Sequence, residues 1–450
     1  MFVLMSVVFI TGYLCIALEH VIHVNKSASA LLLGSLMWVC LAIDAPALAE
    51  NLPEFREYLQ LHPDASFLTW LTHVPMLEHL GETAEILFFL IGAMTIVELM
   101  DSHRGLAIIT NKISTTKKNL LLWIICIISF FMSAALDNMT TTIVMVALIR
   151  KIIADRADRL FFIGMIVLAA NSGGAWSPIG DVTTIMLWVS GKISSVNIIT
   201  HTFVASLAAM LAPLLALTSR MKGNVGRPDG PTTAVYPTSI PQWQSRLILG
   251  MGLGTLLFVP IFKTITHLPP YAGMLGGLGL LWILTDIMHR KYHDRQEHHS
   301  VIAMIKNIDT PSVLFFLGIL MAVGALQTFG HLKLLSQTLD SIALPEPEKY
   351  YFITIAIGVL SSIVDNVPLV AGAMGMYDFP MDHYFWEFLA YTAGTGGSIL
   401  IIGSAAGVAA MGMVQINFIW YMKKISWLAL LGYFVGAAVY ILQRMLFFEL

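Results

Sequence analysis

Charged residues are scarce in this chain. Of its 450 residues, 12% are Asp, Glu, Lys or Arg and 57% are hydrophobic, whereas about 25% of the residues of a soluble domain are charged. The formal net charge of −3 is too small to favour nucleic acid as a partner. The composition therefore excludes an ordinary soluble domain and predicts a polytopic membrane protein surrounded by lipid.

Cysteine is also rare, with only three residues, Cys15, Cys40 and Cys126. Each lies in an apolar run, and their spacing fits neither a disulfide framework nor a metal site. We interpret them as packing residues. The first apolar run, residues 2–24, lacks the basic segment and small-residue cleavage site of a signal peptide, so we expect it to be a retained span.

Apolar runs long enough to cross a bilayer, about 20 residues each, predict ten crossings. They are residues 2–24, 28–43, 82–101, 160–190, 198–218, 245–265, 270–288, 311–329, 385–413 and 425–447. The runs 160–190 and 385–413 are too long for one plain span and contain glycine clusters. We therefore expect each to be a broken helix.

Two further apolar stretches, residues 119–150 and 349–376, carry an Asp-Asn pair near the middle. Each could cross once or enter and return as a re-entrant hairpin. If both return, 19 of the 25 lysines and arginines lie on one side, which the positive-inside rule identifies as cytoplasmic. Full crossings would remove this bias. We therefore predict two hairpins, with both termini and an acidic loop from Asp44 to Glu82 outside.

Three motifs recur in the same order at nearly one offset. Leu87–Leu90 recurs at 314–317, an offset of 227. Ser133, Asp137 and Asn138 recur as Ser361, Asp365 and Asn366, an offset of 228. The third motif recurs at an offset of 223, with Ser172, Gly173, Gly174 and Gly180 matched by Thr395, Gly396, Gly397 and Gly403.

These motifs predict an internal duplication. Residues 1–220 form the first repeat, 221–245 a cytoplasmic linker and 246–450 the second repeat. Each predicted repeat has five crossings, one of them broken, and one hairpin. Because five is odd, the second repeat must enter the membrane from the opposite side. Inverted repeats with interrupted helices are typical of secondary transporters that work by alternating access.

A carboxylate deep in a bilayer is costly, about 2.5 to 3.5 kcal/mol on insertion scales. Away from their ends, the predicted spans contain no lysine or arginine. We therefore expect a mobile cation or a proton to neutralise the buried acids. Oxygen ligands suit a hard cation such as sodium, and the candidate ligands are Ser133, Asp137, Asn138, Asn171, Asp181, Thr183, Thr184, Ser361, Asp365, Asn366, Thr395 and Ser398.

The glycine pairs Gly173-Gly174 and Gly396-Gly397 are expected to free backbone carbonyls beside these ligands. A desolvated carboxyl group has a raised pKa, and sodium binds only its ionised form. Competition between the two ions would therefore suffice for exchange. Any single serine or threonine here could instead bond to its own helix.

Other acids are weaker candidates. Glu98 lies near the cytoplasmic end of its predicted span and could belong to an ion exit route. Glu85, Asp286 and Glu387 lie near span ends, where we expect solvated positions.

Four segments resemble the NhaD-type sodium/proton antiporters of the ion transporter superfamily. They are FMSAALDNMTTTIVMVALIRK, ANSGGAWSPIGDVTTIMLW, SSIVDNVPLVAGAM and GTGGSILIIGSAAGVAAMGM. The resemblance implies an inner-membrane protein that exchanges sodium or lithium for protons. It carries functional roles over to Asp137, Asn138, Asn171, Asp181, Thr183, Thr184, Ser361 and Asn366, and to Glu98.

We accordingly expect Na⁺ or Li⁺ at Asp137, Asn138, Asp365 and Asn366, H⁺ as the exchanged ion, and no cofactor. The expected role is pH homeostasis, with small inorganic cations and lipid as partners and a homodimer as one candidate assembly.

Two other functions fit parts of the sequence. The first is a sodium- or proton-coupled carrier of arsenite or dicarboxylates from the same superfamily. The second is an intramembrane aspartyl protease, since Gly180-Asp181 and Tyr377-Asp378 partly match its Gly-Asp and Tyr-Asp motifs, although in reverse order. The loop at residues 289–299 holds four histidines and is either a solvated basic loop or a pH sensor.

Overall fold

The computed structural model describes residues 2–43, 52–110, 113, 115–226, 240–290 and 300–447. Within these ranges the regular structure is helical, and the only β-type pairing is an isolated bridge between Lys117 and Asn224. The predicted histidine-rich loop, apart from residues 289 and 290, and linker residues 227–239 lie outside the described residues.

In chain order, the helices are α1 (Phe2–Ala17), α2 (Glu19–Ile22), α3 (Lys26–Ile43), α4 (Pro53–Leu61), α5 (Phe67–His73), α6 (Pro75–Ser102), α7 (Gly105–Thr110), α8 (Lys118–Leu136), α9 (Asn138–Ile152), α10 (Arg156–Gly174), α11 (Val182–Val189), α12 (Ser195–Thr218), α13 (Gln242–Thr266), α14 (Pro270–His289), α15 (Val301–Asn307), α16 (Thr310–Thr328), α17 (His331–Asp340), α18 (Glu348–Leu360), α19 (Asn366–Met376), α20 (Tyr384–Gly396), α21 (Ala405–Val414), α22 (Phe418–Lys424) and α23 (Ser426–Phe447).

Eight spans in the described part are long and apolar enough to cross a membrane, or nine if the bent pair α21 and α22 counts as one span. This confirms the predicted class, an all-α polytopic membrane protein. Seven of the eight coincide with predicted crossings. The eighth is α8, which the sequence assigns to a hairpin.

The acidic loop predicted from Asp44 to Glu82 is wrong for its described part, residues 52–82. Helices α4 and α5 form there, and α6 begins at Pro75. Ser66 caps α5 by accepting a hydrogen bond from the backbone N–H of Thr69 at 3.1 Å, and proline is favoured in the first turn of a helix such as α6. The aromatic rings of Phe55 and Phe67 pack with centroids 5.2 Å apart, so α4 and α5 bury an apolar contact.

The chain folds into two compact units. The first comprises Met1–Leu90, Asp309–Ala343 and Ala371–Asp378, and the second comprises Ile91–Ile308, Leu344–Val370 and Phe379–Leu450. In the first unit α3 packs closely along α16. A Cβ on Gly34 would lie 2.6 Å from the carbonyl oxygen of Gly318, and the Trp38 indole N–H donates to the Met321 carbonyl at 2.9 Å.

In the second unit, helices α8 and α9 are separated by Asp137 alone. The N–H of Lys118, at the start of α8, donates to Gly223 O at 3.0 Å, and the N–H of Ala154, just after α9, donates to Gly226 O at 2.8 Å. Three residues span at most about 11 Å. The two ends of the α8–α9 segment therefore lie close together, which supports the predicted hairpin even though α8 alone is long enough to cross.

The segment α18–α19 has a related geometry. The ring of Tyr350, in the first turn of α18, packs against Phe379 with centroids 5.0 Å apart, and Phe379 comes three residues after the end of α19. The chain therefore returns close to its starting point here as well.

The sequence duplication corresponds to a duplicated set of contacts in the second unit. Ser133 Oγ donates to the Ala170 carbonyl at 2.6 Å, and Ser361 Oγ donates to the Ala393 carbonyl at 3.0 Å. A Cβ on Gly173 would lie 2.1 Å from Phe130 O, and one on Gly396 would lie 2.0 Å from Gly358 O. Each hairpin arm therefore touches the backbone of its broken helix at a glycine.

We predict that Gly173→Ala and Gly396→Ala each lower the unfolding temperature of the purified protein in detergent. At about 2 Å from a backbone carbonyl the new methyl group cannot be accommodated without moving a helix, and such overpacking costs about 1 to 3 kcal/mol. The control is Gly412→Ala in α21, where a Cβ would meet nothing within 4 Å. Equal unfolding temperatures for all three variants would contradict the close approach.

Candidate functional site

The two broken helices are interrupted in the same way. Helix α10 ends at Gly174 and α11 begins after Asp181, whereas α20 ends at Gly396 and α21 begins after Ser404. Asp181 accepts a hydrogen bond from the N–H of Thr183 at 3.1 Å, and Ser404 accepts one from Gly407 at 3.2 Å. The backbone angles agree, with φ −146° and ψ 148° at Asp181 and φ −144° and ψ 153° at Ser404. Asp181 and Ser404 are thus equivalent helix caps.

Asp181 lies at the centre of the candidate site. It is buried, with 1% of its surface exposed. The amide nitrogen of Asn138 donates to its Oδ2 atom at 2.9 Å, and the amide nitrogen of Asn366 approaches its Oδ1 atom at 3.5 Å. Asn138 and Asn366 begin α9 and α19, directly after the interruptions of the two hairpin segments. One carboxylate therefore receives amide hydrogens from both copies of the motif.

Asn171 connects the two broken helices. Its Oδ1 atom accepts from the amide of Asn138 at 3.0 Å, and its Nδ2 atom donates to Ser398 Oγ at 2.8 Å and to Ser404 Oγ at 2.9 Å. We call these six buried residues the polar cluster: Asn138, Asn171, Asp181, Asn366, Ser398 and Ser404.

Two further acids lie beside the polar cluster. Asp137 accepts hydrogen bonds from the N–H of Thr140 at 2.7 Å and from its hydroxyl at 2.8 Å. Its φ of 106° is strained for a residue with a side chain, and such strain concentrates at functional sites. Asp137 and Asp365 both lie within the electrostatic range of Asp181.

Four predicted ligands bond to backbone carbonyls instead. Ser133 and Ser361 make the helix contacts described above, Thr395 Oγ1 donates to Tyr391 O at 2.6 Å, and Thr184 Oγ1 donates to Asp181 O at 2.8 Å. Thr183 contributes its backbone N–H to Asp181. Ser133 and Ser361 therefore join helices, whereas Thr395 and Thr184 bond within their own helical turns.

The predicted glycines act mainly in packing. Gly173 and Gly396 allow the close approaches described above. The carbonyls of Gly174 and Gly396 accept turn hydrogen bonds, from Ser177 at 3.3 Å and from Ile399 at 3.0 Å. These two carbonyls are thus already engaged in the turns that follow α10 and α20.

Glu98 lies apart from this arrangement. Its carboxylate bonds to the side chain of Asn307 and interacts with Asp101, and neither residue belongs to the polar cluster. The structure therefore places Glu98 at a separate polar contact.

Two functional candidates were missed by sequence reasoning. Ser404 lies 223 positions after Asp181, the offset of the third repeated motif, so extending that alignment by one residue would have found it.

Glu387 was expected to be solvated near a span end. That expectation is wrong, because Glu387 is 0% exposed and lies against Tyr440, His201 and Arg444.

The sequence matches known transporters along its length. The model of the citrate transporter family CitMHS matches residues 7–396. Sodium/proton antiporter 1 of Arabidopsis thaliana is 43% identical over 100% of this chain and 73% of its own length. Sodium/proton antiporter 2 of the same plant is 42% identical over 97% of this chain and 98% of its own length. The Na⁺/H⁺ antiporter NhaD of Vibrio cholerae is 30% identical over 97% of this chain and 90% of its own length.

These matches cover far more than half of the chain, and the family model includes four of the six residues of the polar cluster, Asn138, Asn171, Asp181 and Asn366. The chain therefore belongs to the citrate transporter family and has NhaD-type and plant sodium/proton antiporters among its full-length relatives.

Proposed function

We propose that this protein is a secondary active antiporter that exchanges Na⁺ or Li⁺ for H⁺ by alternating access at the polar cluster. The observation that carries the proposal is the bonding of one buried carboxylate, Asp181, to an asparagine from each copy of the repeated motif. Relatives named as sodium/proton antiporters, with alignments over 96% to 100% of this chain, support it.

The chemistry of the cluster suits a hard cation. Its side chains offer carboxylate, amide and hydroxyl oxygens, which hard cations prefer as ligands. In this conformation Asn138 and Asn366 present amide nitrogens to Asp181. A cation bound at Asp181 would need oxygens there, so we infer that binding rotates both amides and brings their Oδ1 atoms to the ion.

Proton exchange follows from competition for the same acid. Sodium binds ionised Asp181, whereas a proton neutralises it, so one occupant excludes the other. The empty ionised site is the costly form, because an uncompensated charge is expensive in a medium of low dielectric. The carrier would therefore reorient readily with either ion bound and poorly without one.

The hydrogen bonds of the cluster also suggest how binding is coupled to movement. Asp181 contacts Asn366, and Asn171 contacts Ser398 and Ser404, so these bonds join residues 1–220 to residues 246–450. We propose that these ranges are two inverted repeats joined by a linker at 221–245. The duplicated serine and glycine contacts and the returning hairpin segments support this division.

The protein is a multi-pass integral membrane protein. We propose that it lies in the cell (inner) membrane with both termini outside, because 19 of its 25 lysines and arginines then face the cytoplasm. Its partners would be lipid and small inorganic cations, a homodimer is one candidate assembly, and the exchange would serve pH homeostasis.

A coupled anion carrier is the second candidate, and the name of the matched family, the citrate transporters, favours it. Among the described residues, however, the hydrogen bonds of the polar cluster involve no lysine or arginine. Asp181, with Asp137 and Asp365 both within its electrostatic range, would repel a citrate, dicarboxylate or arsenite anion. Because the family consists of transporters, the aspartyl protease interpretation is wrong.

We predict that Asp181→Asn, Asp137→Asn and Asp365→Asn each abolish sodium-dependent proton movement. Asparagine keeps the size of the side chain but can carry neither the negative charge nor the exchangeable proton. The measurement is the fluorescence of a pH dye inside proteoliposomes after addition of sodium or lithium, with potassium, citrate, succinate and arsenite as comparison solutes.

The matched control is Asp286→Asn, which changes an exposed aspartate of α14 and should leave exchange at the wild-type level. Unaltered exchange in Asp181→Asn would contradict the assignment. A proton signal driven by an anion in place of sodium would favour the second candidate.

We further predict that Ser404→Ala weakens the apparent affinity for sodium about 2- to 13-fold, the effect of losing a hydrogen bond of about 0.5 to 1.5 kcal/mol. Ser404→Thr keeps the hydroxyl and should restore affinity. The control is Ser362→Ala, because the Ser362 hydroxyl donates to Val359 O in its own turn and makes none of the hydrogen bonds described for the polar cluster. Equal affinity in Ser404→Ala and Ser362→Ala would exclude Ser404 from the site.

A further inference from the structure

A second buried acid lies outside the polar cluster. Glu387 is in the first turn of α20 and is 0% exposed. It takes part in none of the hydrogen bonds described for the polar cluster. Its Oε2 atom accepts a hydrogen bond from the Tyr440 hydroxyl of α23 at 2.9 Å. The ring of Tyr440 stacks on Phe388 with centroids 4.6 Å apart, so the position of the hydroxyl is fixed by packing.

Two basic side chains approach the same carboxylate from different helices. Arg444 Nη1, from α23, lies 3.7 Å from Oε2, and His201 Nδ1, from α12, lies 3.4 Å from Oε1. The Oε1 atom makes no hydrogen bond with any described residue. We call Glu387, His201, Tyr440 and Arg444 the Glu387 cluster. As long as Glu387 is ionised, its negative charge balances the positive charge of Arg444.

The space between these side chains limits what can bind there. Together with Gln443 they border about 130 Å³ of space, part of it open to the outside, that is too narrow to admit a water molecule. A metal ion would need several oxygen ligands and would be repelled by Arg444. A proton needs no such space, and both the carboxylate of Glu387 and the imidazole of His201 are groups that bind protons.

We propose that the Glu387 cluster is a second proton-binding site, separate from the ion site, and that its protonation slows transport. An added proton leaves the cluster with one uncompensated positive charge. If the proton is on Glu387, Arg444 loses its counter-charge. If it is on His201, two cations compete for one carboxylate. In both cases the attraction between Glu387 and Arg444, which holds α20 against α23, is weakened.

Other titratable groups surround Glu387. Tyr351 of α18 interacts with it electrostatically, and so does Asp382 in the turn before α20. His383 and Tyr384 lie at the start of α20 itself, and the ammonium group of Lys192 lies 5.1 Å from the ring centre of neighbouring Trp386.

Helix α20 connects the two sites physically. Nine residues separate Glu387 from Gly396, about 14 Å of helix. Near that end a Cβ on Gly394 would lie 3.5 Å from Asp181 Oδ2, and Ser398 just beyond it accepts the hydrogen bond from Asn171. A shift of α20 away from α23 would therefore reach both Asp181 and the bond between Asn171 and Ser398.

The test compares variants that alter the cluster with one that does not. Glu387→Gln keeps an acceptor for Tyr440 but cannot ionise, Arg444→Gln removes the cation, and Arg444→Lys keeps it. Tyr440→Phe is the mildest change, because it retains the stacked ring and removes only the hydroxyl. Glu348→Gln, at an exposed acid of α18, is the control.

Two readouts are measured across pH 5.5 to 9, which is about the range in which buried carboxyl groups and histidines titrate. The first is sodium-driven proton movement in proteoliposomes, which rests on the proposed function. The second is the unfolding temperature of the purified protein in detergent, which does not. A failure of exchange in the wild type would therefore leave the proton site open to test by unfolding.

We expect Glu387→Gln to lose the fall in unfolding temperature that the wild type undergoes on the acid side, and to show a smaller acid-side fall in exchange, since competition at Asp181 remains. Arg444→Gln leaves no ion pair for a proton to weaken and should also lose the fall in unfolding temperature. Tyr440→Phe should move that fall to higher pH, because its hydroxyl no longer stabilises the ionised carboxylate, and Arg444→Lys should keep it near the wild-type position. Acid-side profiles of Tyr440→Phe, Arg444→Gln and Glu387→Gln that coincide with that of Glu348→Gln in both readouts would overturn the proposal.

Discussion

The rest of the site depends on the burial of one carboxylate, that of Asp181. A charged group shielded from water must be matched by donors or by a counter-ion, and the described structure matches this one with amide hydrogens from Asn138 and Asn366 and a backbone hydrogen from Thr183. The donors come from both copies of the repeated motif. The acid is therefore matched where the two copies of the motif meet, which is where the proposed alternating-access carrier would hold its ion.

The two copies of the motif are positioned by close backbone contacts. Gly173 and Gly396 let each hairpin arm touch its broken helix, and Ser133 and Ser361 fasten the same contact. The duplication is nearly symmetrical in its scaffold but not in its charge, because the cap that is Asp181 in one copy is Ser404 in the other. The cluster therefore has one central acid, Asp181, with Asp137 and Asp365 on either side. In the proposed mechanism this site passes between two neutralised states, one with sodium and one with a proton.

The sequence predicted the membrane spans and the helix interruptions better than it predicted which side chains contact each other. Hydropathy, glycine clusters and repeat offsets are local or periodic signals, so most spans, both interruptions and most residues of the polar cluster could be predicted. The sequence nevertheless favoured Asp137 and Asp365 as the main ion ligands, whereas the structure places Asp181 at the centre. Repeat offsets identify equivalent positions but not which side chains meet across the two copies. Glu387 was missed for a similar reason, since its partners His201 and Arg444 lie on other helices, far away in the chain.

The central claim is that sodium and a proton compete for Asp181. The most direct test is calorimetric titration of the purified protein with sodium in several buffers of different ionisation enthalpy, because any released protons are taken up by the buffer and alter the measured heat. The account predicts a heat that depends on the buffer, with protons released as sodium binds, and loss of this dependence in Asp181→Asn. Sodium binding with the same heat in every buffer, or an unchanged proton release in Asp181→Asn, would contradict it.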